Sequence, residues 1–282
     1  MRDPKRAALL LMIFVLAMPL CRAQGQARAP LNILLSNDDG YGAPGLNALV
    51  EAFRSSATVV VVAPAVDQSG KSHSTLSNDP IMVTEKKQPN GATWYAVDAP
   101  PATCVRLAFE SLMPHRPDLV ISGINRGQNL GPVVYYSGTL GAAREASIAG
   151  LPAIGVSIGG NDGKDYAAAA EFVRQMVDQL RDKQMLKPGL FLNVNVPAGE
   201  RKGVRLARLS MKAGGEIRFE RRTSPTGRLY FWQLFHQIDD DVDGTDVWAF
   251  FHGYIAVTPM TVDVTAPQAM EGIRSLDLRL PK

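Results

Sequence analysis

Cysteine is nearly absent from this 282-residue chain, with only Cys21 and Cys104 present. A disulfide-stapled scaffold is therefore excluded, and if Cys21 is lost with the leader described below, Cys104 has no intramolecular partner. Cys104 stands in the apolar run Cys104-Val105-Arg106-Leu107-Ala108-Phe109, which reads as buried packing rather than a thiol nucleophile. Histidine is scarce too, at four residues, and no His or Cys cluster suggests zinc. His73 lies four positions from Ser69, where an auxiliary acid is conceivable, whereas His115, His236 and His252 read as structural. Charge of one sign is also lacking. The formal surplus of +3 resides in Met1–Ala23, where Arg2, Lys5, Arg6 and Arg22 face Asp3, and beyond it 26 basic residues balance 26 acidic ones. The positive field expected of a duplex-binding protein is missing, so bulk nucleic-acid binding is excluded. Internal repeats and low-complexity tracts are absent. A hydrophobic fraction of 46% and a charged fraction of 20% exclude disordered and collagen-like classes.

Long hydrophobic runs are missing except at the start. Arg2, Lys5 and Arg6 precede the apolar run Ala7–Leu20, and Cys21-Arg22-Ala23 ends it on a small residue. Positive flank, short apolar stretch and small exit match a secretory signal peptide over residues 1–23. A buried core helix and an uncleaved anchor are the alternatives, although the run falls short of the ~20 residues that span hydrocarbon. The expectation is export, to the periplasm if the source is Gram-negative, with no other membrane association. Residues 24–30 read as an unstructured lead-in, and 31–282 as one α/β domain.

Within that domain, apolar runs at Leu31–Ser36, Thr58–Ala63, Asp118–Ser122, Ala153–Ser157 and Leu190–Val196 read as buried strands. Helical patterns over Pro44–Arg54, Pro101–Leu112, Gly138–Ala149 and Asp165–Leu180 alternate with them. Such alternation predicts a Rossmann-like, mostly parallel sheet with helices on both faces. After about Pro197 the pattern changes. Arg201–Arg228 is strongly basic, Leu229–Ile238 is aromatic and strand-like, and Asp239, Asp240, Asp241, Asp243 and Asp246 crowd together. Residues 201–250 thus read as a long β-excursion with an acidic turn, either a solvated arm or one that pairs between subunits.

Two nucleotide motifs fail on inspection. Gly40-Tyr41-Gly42-Ala43-Pro44-Gly45 satisfies the dinucleotide fingerprint, but Asn37-Asp38-Asp39 places negative charge where a pyrophosphate would sit. The second strand also ends in Ala63-Pro64 without the ribose-binding acid. Ser69-Gly70-Lys71-Ser72 resembles the end of a P-loop, yet Ala65 stands where glycine is required and no helical pattern follows.

A third constellation spans several strand ends, where parallel sheets bind ligands. Asn37, Asp38 and Asp39 follow the first strand, and Gln68, Ser69 and Gly70 follow the second. Gly123, Asn125, Gly127 and Asn129 follow the Asp118–Ser122 strand, and a helix opens near Ser137-Gly138-Thr139. Adjacent Asp38 and Asp39 reach one point only if the strand has ended, which Gly40 permits. Two carboxylates, a serine hydroxyl and an asparagine carbonyl offer hard oxygen ligands to one divalent cation such as Mg²⁺ or Mn²⁺. The helix start offers N–H groups to an anion. A cation beside an anion cradle suits phosphate-ester hydrolysis, in which a metal activates water and neutralises oxygen charge.

The same residues resemble the SurE survival proteins, which are metal-dependent 5′-nucleotidases. Ile33–Leu46, Val61–Ser74, Pro117–Gly131, Tyr135–Ser157, Asn193–Pro197 and Gly253–Pro259 carry the resemblance. It implies metal ligands at Asp38, Asp39, Ser69 and Asn125, and substrate contacts at Gly70, Asn129, Ser137, Gly138 and Thr139. It implies hydrolysis of nucleoside monophosphates, extending in some members to 3′ esters and short polyphosphate. A homodimer or homotetramer built through C-terminal arms is also implied. Asp38 is the catalytic candidate, as nucleophile or as base. The chain departs from the family at Gln68, where many relatives carry Arg, and at Ala99-Pro100-Pro101-Ala102-Thr103, where two prolines stiffen a loop that bears on base selection. A non-catalytic exported nucleotide or phosphate binder, and a phosphatase for non-nucleotide esters, are the alternatives.

Overall fold

The computed structural model describes residues 29–88, 93–160, 164–211, 216–236 and 242–280. The leader and Asp239–Asp241 lie outside them, and residues 29–30 precede the first strand without regular structure. The first half comprises β1 (Leu31–Ser36), α1 (Pro44–Phe53), β2 (Ala57–Pro64), β3 (Val83–Lys87), β4 (Thr93–Val97), α2 (Pro101–Leu107), β5 (Leu119–Arg126) and α3 (Gly138–Ile148). Then follow β6 (Ala153–Ile158), α4 (Lys164–Asp182), β7 (Phe191–Val196), β8 (Gly203–Leu206), β9 (Glu216–Thr223), β10 (Leu229–His236), α5 (Asp246–Phe251), β11 (Tyr254–Pro259) and α6 (Pro267–Arg274). Nine strands form one sheet in the order β3-β4-β2-β1-β5-β6-β7-β11-β8, and β9 pairs with β10 in a separate antiparallel hairpin. From β4 to β7 neighbouring strands run parallel, while β3 and β11 join antiparallel.

Side-chain alternation divides the core into two layers. Ile33 and Leu35 face α1 and α4, packing with Leu46, Leu49, Phe53, Ala169 and Val173. Leu34 faces α2 and α3, packing with Cys104, Val105, Leu140 and Ala143. Cys104 is fully buried and burial pushes its thiol up, consistent with a packing role. Among the described residues, no helix is long and apolar enough to cross a membrane.

The chain leaves β1 toward β2 on one side and returns later as β5 on the other. The carboxyl ends of β1 and β5 therefore flank a topological switch point, where open α/β sheets hold their ligands.

Three expectations require correction. The third predicted strand does not end at Ser122 but runs to Arg126, because its register against β6 shifts between Ser122 and Asn125 and then resumes with Asn125 opposite Ser157. Gly123 and Asn125, which look like loop formers, thus lie inside a strand with a bulge. The Pro101–Leu112 helix is α-helical only to Leu107 and continues to Leu112 as a wider π turn. Residues 201–250 do not form one arm. Among the described residues only the β9–β10 hairpin forms a sheet of its own, since β8 pairs with β11 in the main sheet and α5 begins at the fully buried Asp246.

Asp246 is not part of a solvated acidic turn. Its carboxylate accepts the N–H groups of Gly131 (2.7 Å), Ser210 (2.8 Å) and Val247 (3.0 Å). Asp246→Ala strands those donors in the interior, so a loss of about 3–5 kcal/mol is expected in urea unfolding. A loss below 1 kcal/mol would contradict this anchoring.

Candidate active site

At the carboxyl end of β1 the strand stops at Ser36, and Asn37 Nδ2 donates to the Gly40 carbonyl at 2.8 Å. Gly40 holds φ +101°, a value that L side chains rarely adopt, and turns the chain toward α1. Asp38 and Asp39 thereby leave the strand's alternation. The Asp38 carbonyl accepts the Gln68 N–H at 2.7 Å, which ties the loop after β2 to the end of β1.

A cleft of about 200 Å³ opens there, lined by Asp38, Ser69, Gly70, Asn125, Asn129 and Ser137. Arg126, Val133 and Tyr136 complete its wall. The structure thus brings together six of the nine residues named from sequence. The other three adjoin it. Asp39 accepts the Arg126 N–H at 3.2 Å beside the cleft. Gly138 packs on Asp38 so closely that a Cβ there would lie 2.8 Å from the Asp38 Cβ. Thr139 is fully buried behind Asp38 and donates its hydroxyl to Asp38 Oδ1 at 2.5 Å, so that hydroxyl holds the aspartate rather than a ligand. A second cavity, about 540 Å³, lies elsewhere between α4 and the β11–β8 edge, lined by Phe172, Met176 and Leu206 among others with no charged group. It offers no hydrolytic chemistry.

The electrostatics call for a cation. Burial, opposed by the Thr139 hydroxyl bond and reinforced by the neighbouring Asp39, pushes the Asp38 carboxyl up to about 6. Burial also raises Asp39, against the Arg126 N–H bond, with the Asp67 carboxylate adding to the rise. These carboxylates repel one another where burial shields them from solvent. Oxygen donors are at hand: Asn125 gives one amide hydrogen to the Gly127 carbonyl at 2.7 Å, which orients the amide and leaves Oδ1 as an acceptor. Among the described residues no three His, Cys, Asp or Glu side chains gather as a metal site. A cation held here would therefore rely on the serine and asparagine oxygens beside the carboxylates, a donor set that fits a hard divalent ion.

The start of α3 packs directly against Asp38. Ser137 caps the helix, its Oγ accepting the Leu140 N–H at 3.1 Å. Asn129 is fixed from behind: its N–H donates to Asn195 Oδ1 (2.7 Å), its carbonyl accepts Asn193 Nδ2 (2.8 Å), and its own Nδ2 donates to Ser157 Oγ (2.8 Å). One Asn129 amide hydrogen remains for a ligand. Sequence reasoning did not single out Arg126, Tyr136, Asp67, Asn193 or Asn195. The two asparagines left a signal, however, because polar residues at alternate positions of the apolar run Phe191–Val196 must share one buried face.

The Asp38 environment carries a pH dependence. Folded Asp38 takes up its proton near pH 6 and unfolded Asp38 near its ordinary value of 3.8. The folded state therefore binds more protons between these values, and stability from this group falls as pH rises through that window. In EDTA, the gain in unfolding free energy of Asp38→Asn over the parent should grow by roughly 2 kcal/mol from pH 4 to pH 7. A difference that does not change with pH would contradict this.

Comparison with known proteins identifies the family and the fold. Residues 33–216 match the family model described as Survival protein SurE. The chain is 40% identical to the 5′-nucleotidase SurE of Pelotomaculum thermopropionicum over 249 residues, covering 87% of this chain and 95% of that protein. It is 43% identical to the 5′-nucleotidase SurE of Desulfitobacterium hafniense over 257 residues, covering 89% and 99%. The crystal structure of SurE protein from Aquifex aeolicus superposes with a TM-score of 0.74 at 35% identity, covering 86% of this chain and 98% of that one.

Proposed function

The chain belongs to the SurE survival-protein family, and on that footing we propose that it is a 5′-nucleotidase using one divalent cation, such as Mg²⁺ or Mn²⁺, at the cleft between β1, β5 and α3. One observation carries the reading: the buried Asp38 carboxylate and the Ser137-capped N-terminus of α3 line one small cleft, with the oxygens of Ser69 and Asn125 beside them. Asp38, Asp39, Ser69 and Asn125 would hold the cation, which supplies charge neutralisation and water activation when bound.

The rest falls to the chain's own groups. The first turn of α3, capped at Ser137 with the Leu140 N–H already bonded to Ser137 Oγ, brings the positive end of its dipole to phosphoryl oxygens. Gly70 and Asn129 line the same cleft and offer further donors. Thr139 fixes the Asp38 carboxylate in one orientation, so no reorganisation is needed as charge develops. Asp38, ionised beside the cation, would serve as nucleophile or as the acceptor of a proton from attacking water.

Phosphate release from AMP with added Mn²⁺, abolished by EDTA, is the expected result. Binding of AMP without turnover would instead favour an exported binder. Faster release from 3′-AMP, sugar phosphates or short polyphosphate than from AMP would redirect the substrate assignment. Two companion readings go with this one. The leader is a secretion signal removed near Ala23, placing the enzyme outside the cytoplasm; an N-terminal read beginning at Met1 would refute it. The second is a homodimer or homotetramer. Isolated two-stranded hairpins are marginal in water, yet β9–β10 exposes Phe219, Phe231 and Trp232, and the residues after Pro259 expose Leu276, Leu278 and Leu280. Light scattering at the mass of a monomer would refute it.

A further inference from the structure

Glu145 plays no part in the chemistry above, yet it is a carboxylate whose side chain is only 8% exposed, on the helix that opens the anion cradle. Two donors converge on it. His73 Nε2 lies 2.7 Å from Oε2, and Arg106 Nε lies 2.5 Å from Oε1. Burial alone would raise this carboxyl, but the His73 and Arg106 bonds outweigh it and hold the group below its ordinary range. Glu145 is thus an anion, and His73 Nε2 is the donor to it.

Arg106 belongs to α2, whereas His73 closes the loop that carries Ser69 and Gly70. That loop lies directly on α3. A Cβ at Gly141 would come within 2.1 Å of the Ser72 carbonyl oxygen, and Glu145 stands one turn further along the same helix face. Ser72 holds φ +55°, a left-handed conformation costing roughly 1–2 kcal/mol for a residue with a side chain. It is kept there by its N–H to the Tyr136 carbonyl (3.0 Å) and its Oγ to the Tyr135 carbonyl (2.5 Å). Ser69 and Gly70 therefore form a short span between two fixed ends: Gln68 bonded to Asp38, and Ser72–His73 bonded to the α3 side.

Resting on the metal reading above, we propose that the His73–Glu145 pair is a positioning lock that holds the Ser69–Gly70 span at the cation site. His73 touches neither substrate nor cation in this assignment and is a positioning residue. Outer groups that orient ligands typically account for 10–100-fold in metal affinity. His73→Ala should thus weaken Mn²⁺ binding, measured by titration calorimetry on the whole protein, about tenfold. The Mn²⁺ concentration for half-maximal turnover should rise in parallel, while kcat at saturating Mn²⁺ changes far less. His73→Gln keeps an amide N–H at a similar reach and should recover most of the affinity. Arg106→Gln leaves every bond of the loop in place and should bind Mn²⁺ nearly as the parent does.

A folded His73→Ala protein binding Mn²⁺ like the parent would overturn the lock. Should His73→Ala fail to fold, His73→Asn, polar but too short to reach Glu145, carries the same expectation and the same refutation. A parent protein that binds no Mn²⁺ overturns the metal site and the lock together, whereas a parent that binds it beside an unaltered His73 variant overturns the lock alone.

Discussion

Asp38→Asn is expected to lower turnover by on the order of 10³-fold while raising the stability of the metal-free chain. Both effects have one cause. The substitution keeps the side chain's shape and an oxygen to accept the Thr139 hydroxyl, so the turn after β1 and the start of α3 remain in place. What it removes is a carboxylate that burial and Asp39 already disfavour. The folded protein is relieved of that charge, and the cation loses a principal ligand. Initial rates at saturating Mn²⁺ together with melting curves in EDTA check the two halves. An Asp38→Asn protein retaining a tenth of parental turnover would remove Asp38 from the chemistry, and one that melts lower would show that the charge is compensated by groups other than a cation.

Gly138→Ala is expected to cost about 10²-fold in turnover, although helix propensity argues the other way. Alanine is the better helix former, and Gly138 is the first residue of α3. The obstacle is steric. A methyl group at 138 would lie 2.8 Å from the Asp38 Cβ and 2.9 Å from Oδ2, closer than real Cβ atoms come to such neighbours. Asp38 has little room to yield, being buried and bonded to Thr139, so either the aspartate turns or the helix start withdraws. Each separates the anion cradle from the carboxylates, and a displacement near 1 Å is enough to cost two orders of magnitude. Steady-state rates with an unchanged circular dichroism spectrum would fit this account. A Gly138→Ala enzyme as fast as the parent would show that the helix start and Asp38 are not held in register.

The central architecture was legible because buried parallel strands are nearly continuous apolar runs. Leu31–Ser36 is bounded as its composition predicts, and the helices from Pro44 and from Gly138 begin where a proline and a capping serine place them. The periphery was not legible. Val83–Lys87 is an exposed edge strand with charged residues, and Gly203–Leu206 is exposed along its whole length, so neither shows the pattern of a buried strand. Asp246 misled because it sits among aspartates that suggest a solvated turn, whereas its backbone partners Gly131 and Ser210 come from distant segments that only the fold brings near. For the site, the separate loops could be listed from sequence, and residue types alone suggested hard-oxygen chemistry. The division of labour could not be listed. Ser137 and Thr139 are hydroxyl residues two positions apart, yet one lines the cleft and the other lies behind Asp38, a distinction that depends on the rotation of α3.

A divalent ion gathered by oxygens from separate strand ends is the centre of the proposed chemistry. Diffraction from crystals soaked in Mn²⁺, with data collected at the manganese absorption edge, measures this directly. The expected result is one anomalous peak per chain within bonding distance of Asp38, Asp39, Ser69 and Asn125, lost in Asp38→Asn crystals. A strong peak elsewhere in the chain, or a cleft without manganese in protein that hydrolyses AMP, would contradict it.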